Sequence, residues 1–233
     1  MNSDLKLVLL PGMDGSGDLF TDFKTALPKT LDTITVRYPH DESLSYAELD
    51  RLVRVSCPTL SPFFLLAESF STPLAIKYAA SNPANLKGLI LCAGFASSPV
   101  KGWKHFLGLL LASLVFSFPI PDLANKIWLV GFDASPSLLA SVRSVISKVK
   151  PKVLAGRLHA VLSCDVLAEL GQVAVPIMYI QGKYDHLISA SCAEKIKRVK
   201  SQMNMIKIEG PHLILQREPN RTAEAVINFM IST

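Results

Sequence analysis

Residues 63–71 read F-F-L-L-A-E-S-F-S, and they place a serine directly after an apolar run. The run 63–67 is typical of a buried strand, and Pro73 lies where the first turn of a helix is expected. Ser69 is therefore predicted to lie in a strand-to-helix turn. A serine in such a turn either caps the helix or acts as a nucleophile, and the rest of the chain has to decide between these roles.

Strand and helix patterns alternate at both ends of the chain. Apolar or β-branched runs predict strands, and apolar residues spaced three or four apart predict helices. The predicted strands are 5–10, 33–38, 63–67, 86–92, 175–181 and 203–208, and the predicted helices are 18–27, 45–55, 73–80, 189–199 and 220–231. Continuous apolar strands separated by helices indicate an α/β protein with a mostly parallel, doubly wound sheet.

Residues 98–165 interrupt this alternation. They are helical in character and are broken by prolines at positions 119, 121, 136 and 151. We therefore expect an α/β core made of residues 1–97 and 166–233, with residues 98–165 inserted between two strands as a small helical lid.

Three residues that could form a catalytic set each follow a predicted strand, in the chain order Ser69, Asp185, His212. The carboxyl ends of parallel strands lie at one edge of a sheet, where sites gather. An imidazole at that edge can take the proton of a serine hydroxyl, and a carboxylate can orient the imidazole. Asp165, which also lies late in the chain, is the alternative acid.

This order of residues on alternating strands and helices resembles the α/β-hydrolase family. The family's turn around the nucleophile is G-x-S-x-G, whereas residues 67–71 read A-E-S-F-S and keep small side chains at both glycine positions. The resemblance implies a serine esterase with no metal and no cofactor. It also implies that the N–H groups of Met13 and Phe70 form the oxyanion hole.

Within that family, the chain is similar to the pimeloyl-acyl-carrier-protein methyl ester esterases of biotin synthesis. The similarity lies in a short helical lid and in L-S-C-D-V-L-A-E-L at 162–170, followed by V-P-I-M-Y-I-Q-G-K-Y-D-H-L-I at 175–188. It implies that an acidic acyl-carrier protein docks on basic lid residues. The lid has no carboxylate over 134–164, and the basic residues there are Arg143, Lys148, Lys150, Lys152 and Arg157.

Other functions stay open at this point. A generalist esterase for short or medium acyl chains and a C–C bond hydrolase would use the same three residues. A binding protein on this fold would not need them. A helix face exposed to solvent would also explain the basic residues without any partner.

The most apolar stretch, 106–120, reads F-L-G-L-L-L-A-S-L-V-F-S-F-P-I. It is shorter than the roughly 20 residues that a membrane-spanning helix needs, so we expect no span. As part of a lid above Ser69, it predicts an apolar substrate pocket that includes Leu110, Leu111 and Phe116.

The composition and the cysteine spacing narrow the class of protein further. Hydrophobic residues make up 49% of the chain and charged residues 18%, which favours a large core, and the net charge of +5 is accompanied by no nucleic-acid motif. Cysteines 57, 92, 164 and 192 form no C-x-x-C pair, and the first twelve residues, M-N-S-D-L-K-L-V-L-L-P-G, do not read as a signal peptide. We expect a cytoplasmic protein.

Overall fold

A computed structural model describes residues 4–100, 116 and 121–233. These residues form a six-stranded sheet with the order β2-β1-β3-β4-β5-β6, and every neighbouring pair is parallel. The strands are β1 Lys6–Leu10, β2 Asp32–Thr35, β3 Phe63–Glu68, β4 Leu86–Cys92, β5 Ile177–Gly182 and β6 Asn204–Ile208. The predicted parallel, doubly wound sheet is confirmed.

Alternating residues of the central strands pack into two different cores, one on each face of the sheet. Val8 and Leu10 of β1 belong to the core on one face, and Leu7 and Leu9 belong to the core on the other. All six residues of β3 are buried. A strand covered on both faces has no solvent side, which is why its sequence is continuously apolar rather than alternating.

Helices cover both faces of the sheet, and others lie in the part of the insertion that the structure describes. The α-helices are α1 Thr21–Ala26, α2 Tyr46–Ser56, α3 Thr72–Ala80, α4 Asp122–Asn125, α5 Pro136–Ser147, α6 Pro151–Leu162, α7 Leu167–Gln172, α8 Ala190–Val199, α9 Ile214–Arg217 and α10 Pro219–Ser232. A capping box in which Ser45 and Glu48 bond each other's backbone N–H begins α2.

Two predicted elements differ from the observed ones. The helix predicted over 18–27 is a 3-10 turn, Asp18–Phe20, followed by the short helix α1. The strand predicted over 33–38 ends at Thr35, because β2 is an edge strand that pairs with β1 only up to that residue. The chain beyond Thr35 then turns towards the loop after β1, where the N–H of Tyr38 donates to the Gly15 carbonyl at 2.8 Å.

The two ends of the inserted segment lie side by side. Ser97 and Asp165 form an antiparallel bridge, and the Val166 N–H donates to the Ala96 carbonyl at 2.7 Å. The segment therefore leaves the sheet after β4 and returns to it next to its point of departure. Of the helices in the described residues, none has both the length and the apolar character needed to cross a membrane.

Candidate active site

Ser69 occupies the sharp turn between β3 and the following helical residues. Its φ angle is +47°, in the left-handed region that residues with a side chain rarely adopt. The flanking small residues, Ala67 and Ser71, are fully buried. Backbone strain of this kind costs on the order of 1–3 kcal/mol and is maintained only where the surrounding structure imposes it.

The structure brings Ser69, His212 and Asp185 together at the carboxyl edge of the sheet. Nε2 of His212 lies 2.9 Å from Oγ of Ser69, and Nδ1 lies 2.8 Å from Oδ2 of Asp185. The His212 and Asp185 side chains are 3% and 1% exposed. With the imidazole proton on Nδ1, the ring donates to the carboxylate and Nε2 accepts from the serine hydroxyl.

Local hydrogen bonds orient Asp185 in the turn after β5. Its Oδ1 accepts the N–H groups of Leu187 and Ile188 at 2.9 and 2.8 Å, which leaves Oδ2 for His212. The alternative acid, Asp165, lies at the base of the insertion, and its carboxylate accepts the Leu167 N–H at 3.2 Å. The contact with His212 therefore belongs to Asp185.

The loop after β1 is held against the turn that carries Ser69. The Ser71 hydroxyl donates to the Pro11 carbonyl, so the Tyr38 hydroxyl, 2.7 Å away, must be the donor to Ser71. The Tyr46 hydroxyl donates to the Phe70 carbonyl at 2.8 Å. The serine that replaces the second glycine of the usual motif is thus a hydrogen-bonding link between the two loops.

Glu68 is a buried carboxyl group directly before Ser69. It is 1% exposed, and its Oε1 accepts from Nε2 of Gln216 at 3.0 Å. Burial raises the pKa of the Glu68 carboxyl to about 7, and the hydrogen bonds from Gln216 and from the Gly12 N–H partly oppose that shift. The sequence offered no signal for this group beyond its position in the turn.

A cavity of about 420 Å³ opens above Ser69 and His212. Apolar side chains line most of it, and they come mainly from the insertion: Phe116, Trp128, Leu129, Val142, Ile146, Leu154 and Leu158, with Leu19, Leu187 and Leu213 from the core. Phe116 was predicted here, whereas Leu110 and Leu111 lie outside the described residues. The other apolar residues were missed because α5 and α6 face the site only after the insertion folds back.

The predicted docking residues fall into two groups. Arg143, Lys148, Lys150 and Lys152 are exposed. Arg143 and Lys148 lie 3.2 and 3.9 Å from Asp122 and Asp18, two carboxylates outside the run 134–164. The prediction that Arg157 belongs to the docking surface is wrong. Arg157 is 2% exposed and donates to the carbonyl oxygens of Met13 and Pro39, so its guanidinium faces inward.

The cysteines are free and buried, and no group of three or more His, Cys, Asp or Glu side chains could hold a metal ion in the described part of the chain. Among the described residues, the Ser69 hydroxyl and the groups around it are placed to react with a substrate. A strained serine, an oriented imidazole and an apolar cavity together form a site suited to nucleophilic attack on a carbonyl group.

Comparisons with known proteins bear on the family and the fold of the chain. The profile of the family described as "Serine aminopeptidase, S33" matches residues 46–218. Among curated proteins, none matches the sequence significantly.

Solved structures share the fold along nearly the whole chain. A lipase-esterase related protein from Clostridium acetobutylicum is 15% identical, with a TM-score of 0.79, over 98% of this chain and 95% of its own. MenH from S. aureus is 16% identical, with a TM-score of 0.78, over 100% and 95%. A carboxylesterase structure from Nitrososphaera gargenis is 16% identical, with a TM-score of 0.78, over 98% and 90%. At these identities the likeness shows the α/β-hydrolase fold.

Proposed function

The chain belongs to the serine aminopeptidase S33 family of the α/β-hydrolase superfamily, and from that premise we propose that it hydrolyses carboxylic esters through an acyl-enzyme on Ser69. The observation that carries the proposal is the pair of contacts on one imidazole, 2.9 Å to Ser69 and 2.8 Å to Asp185. A weakly nucleophilic hydroxyl becomes reactive when its proton has an oriented acceptor.

The reaction follows from these contacts. Oγ of Ser69 attacks the ester carbonyl carbon while Nε2 of His212 takes the hydroxyl proton, and Asp185 stabilises the resulting imidazolium. The carbonyl oxygen becomes an oxyanion, for which we propose the N–H groups of Met13 and Phe70 as donors. Collapse expels the alcohol, which receives the proton from His212. Water, deprotonated by His212, then attacks the acyl carbon, and His212 returns the proton to Oγ of Ser69 as the acid leaves.

The cavity favours an apolar acyl group. Its volume of about 420 Å³ suits a short or medium chain, and its walls are largely Leu, Ile, Val and Trp side chains. Besides Ser69 and His212, the polar side chains along it are Asn125, Asp14 and Glu68, and the last two lie beside Gly12. The family description names an aminopeptidase, so the substrate panel below contains amides as well as esters.

A second candidate is narrower: the methyl ester of pimeloyl-acyl-carrier protein. The observation that favours it is the exposed basic surface of Arg143, Lys148, Lys150 and Lys152 on α5, on α6 and between them. In the described chain, no carboxylate pairs with Lys150 or Lys152, so both are available to an acidic partner. An acidic carrier protein would place its acyl group above the same cavity. We also propose a cytoplasmic location, in which the four buried cysteines stay reduced.

The esterase proposal is tested with a fluorophosphonate probe and an acyl-length series of p-nitrophenyl esters. Wild type is expected to take up one probe per chain, because Oγ of Ser69 displaces fluoride from phosphorus, and Ser69→Ala is expected to take up none. Aminoacyl anilides and a C–C cleavage substrate complete the panel. A non-catalytic binding protein would leave every substrate intact and the probe unreacted.

The carrier proposal is tested with Lys150→Glu/Lys152→Glu. We expect unchanged turnover of a p-nitrophenyl ester and reduced turnover of a carrier-linked methyl ester, since only the latter needs the basic surface. If the double change leaves the turnover of both substrates at the wild-type rate, or lowers both equally, no carrier protein docks on this surface. A generalist esterase would then remain.

A further inference from the structure

Arg157 connects the inserted segment to both residues that we propose as oxyanion donors. Its Nη1 donates to the Met13 carbonyl at 2.7 Å, and its Nη2 donates to the Pro39 carbonyl at 2.8 Å. Its Cζ lies 5.9 Å from the centre of the Phe70 ring and 5.8 Å from that of Tyr38. The Arg157 side chain of α6 therefore contacts both the backbone of Met13 and the ring of Phe70.

Arg157 is a buried charge, and the desolvation of its guanidinium costs free energy that an apolar residue of the same size would not cost. The side chain is 2% exposed, and within the described residues both of its hydrogen bonds go to backbone carbonyls. Burial lowers the pKa of the guanidinium, and the nearby Asp14 carboxylate partly offsets this. An arginine stays protonated in such a site and keeps its planar fork of donors. An apolar residue would fill the same space without desolvating a charge.

Arg157 adds a further contact to the loop after β1, which is also held through Pro11 and Gly15. Gly15 and Gly17 have φ angles of +72° and +71°, and a Cβ on Gly15 would lie 2.7 Å from Nη1 of Arg157. The glycine thus leaves the space that the guanidinium fills. Among the described residues, no other group donates to the Met13 carbonyl. The peptide that carries the Met13 N–H is held by the Gly15 N–H, which donates to the Gly12 carbonyl at 3.1 Å. Arg157 holds the following peptide through the Met13 carbonyl, so Met13 is fixed on both sides.

We propose that Arg157 is a positioning residue that fixes the Met13 side of the oxyanion hole, so that the insertion completes the catalytic centre as well as covering it. The inference rests on the proposed esterase function. Arg157 acts on the reaction through Met13 and Phe70 and does not itself contact the substrate. Its loss should therefore weaken stabilisation of the tetrahedral intermediate and leave substrate binding largely unchanged.

The test compares Arg157→Met and Arg157→Lys with wild type and with Arg198→Met, a matched change at an exposed arginine on α8. Active sites are first counted by exhaustive fluorophosphonate labelling, so that misfolded protein does not enter the rate. The readouts are kcat and KM per labelled site for a p-nitrophenyl ester, and the Ki of a trifluoromethyl ketone, which Ser69 converts into a tetrahedral oxyanion.

For Arg157→Met we expect kcat to fall roughly 10²-fold, KM to change by no more than a few-fold, and the trifluoromethyl ketone to bind roughly 10²-fold more weakly. Arg157→Lys keeps the charge but cannot reach both carbonyls at once, so we expect a kcat loss of roughly tenfold. Arg198→Met should match wild type. If Arg157→Met does not fold, Arg157→Lys decides the question with the same readouts.

Two results would overturn the inference: wild-type kcat per labelled site in the Arg157 variants, or a loss confined to KM or to the fraction of labelled protein. The second result would mean that Arg157 only attaches the insertion to the core. Failure of the proposed esterase function would give a different result: the wild-type protein would neither react with the fluorophosphonate probe nor hydrolyse any ester.

Discussion

Gly182 and Pro211 are in backbone contact: a Cβ on Gly182 would lie 2.2 Å from the Pro211 carbonyl oxygen. Gly182 ends β5, three residues before Asp185, and Pro211 directly precedes His212. The Tyr184 N–H also donates to the Gly210 carbonyl at 2.9 Å. The turn that carries the acid and the loop that carries the histidine are thus packed directly against each other, which holds Asp185 and His212 at 2.8 Å.

Gly182→Ala is expected to push these two loops apart, because the clashing atom belongs to the backbone and has no rotamer to change. A displacement of about 1 Å between catalytic groups lowers kcat roughly 10²-fold. Gly171→Ala in α7 is the matched control, since the nearest atom to its new methyl group is 4.0 Å away. The check is kcat on a p-nitrophenyl ester together with thermal unfolding, and wild-type activity in Gly182→Ala would contradict the prediction.

Asp185→Asn is expected to reduce kcat by about 10⁴-fold, because the amide favours the wrong imidazole tautomer and cannot stabilise the imidazolium. Asp165→Asn should leave kcat close to that of wild type, since its carboxylate bonds the Leu167 N–H at the base of the insertion. Steady-state kinetics of the two variants distinguish the two acids. A larger loss in Asp165→Asn would assign the role to the other residue.

Glu68→Gln is expected to become more stable relative to wild type as the pH rises. The folded state keeps the Glu68 proton up to a pKa of about 7, whereas the unfolded chain releases it near the ordinary value of 4.5. Between those values the folded state binds more protons, so the unfolding free energy of wild type falls with rising pH. This contribution is present below pH 4.5 and is lost as the pH passes 7.

The measurement is the difference in unfolding free energy between Glu68→Gln and wild type at pH 5 and pH 8. We expect it to grow by on the order of 2–3 kcal/mol in favour of the variant. The glutamine fits because the buried Oε1 of Gln216 has no partner among the described residues. Once the Gln216 amide is flipped, this oxygen can accept an N–H from the new amide at position 68. Glu194→Gln, on an exposed face of α8, is the control. An unchanged difference would show that Glu68 titrates at its ordinary pH.

Ser71→Ala is expected to lower the unfolding free energy by about 1–3 kcal/mol, because the buried Tyr38 hydroxyl and Pro11 carbonyl both lose their partner. Ser201→Ala, at an exposed position, should change it by less than about 0.5 kcal/mol. Urea unfolding measures both. A neutral Ser71→Ala would mean that this serine serves only as a small residue in the turn.

Leu158→Trp is expected to shift the preferred acyl chain of p-nitrophenyl esters to a shorter length, because Leu158 lines the cavity and the larger side chain occupies part of its volume. Leu60→Trp, at a residue that is 93% exposed, adds the same bulk away from the site. The ratio of kcat/KM across the ester series is the measurement. An identical length profile in Leu158→Trp and Leu60→Trp would place the acyl group elsewhere.

Sequence reasoning located Ser69 and His212 because strands of this kind are recognisable from local apolar runs, and parallel strands bring their carboxyl ends to one edge. It also preferred Asp185, but Asp165 stayed open, because two carboxylates near the same strand look alike without coordinates. The hydrogen bonds of Asp185 to Leu187, Ile188 and His212 separate them.

The inward orientation of Arg157 and the contacts of Glu68 were out of reach of that reasoning. Arg157 was grouped with the exposed basic residues, because a run of cations without carboxylates is most often a solvated surface. Glu68 was assigned no chemistry, because its neighbours along the chain do not show what its carboxyl contacts.

The sequence alone predicts the parallel sheet, the order of the strand ends and the positions of the proposed nucleophile and base. All of these depend on patterns within a few residues. Only the tertiary structure decided which acid contacts His212, which way Arg157 points and which side chains line the cavity. The physical reason is that burial and contact in this region depend on how the insertion folds back over the sheet. That arrangement joins residues as distant as Met13 and Arg157, which are 144 positions apart.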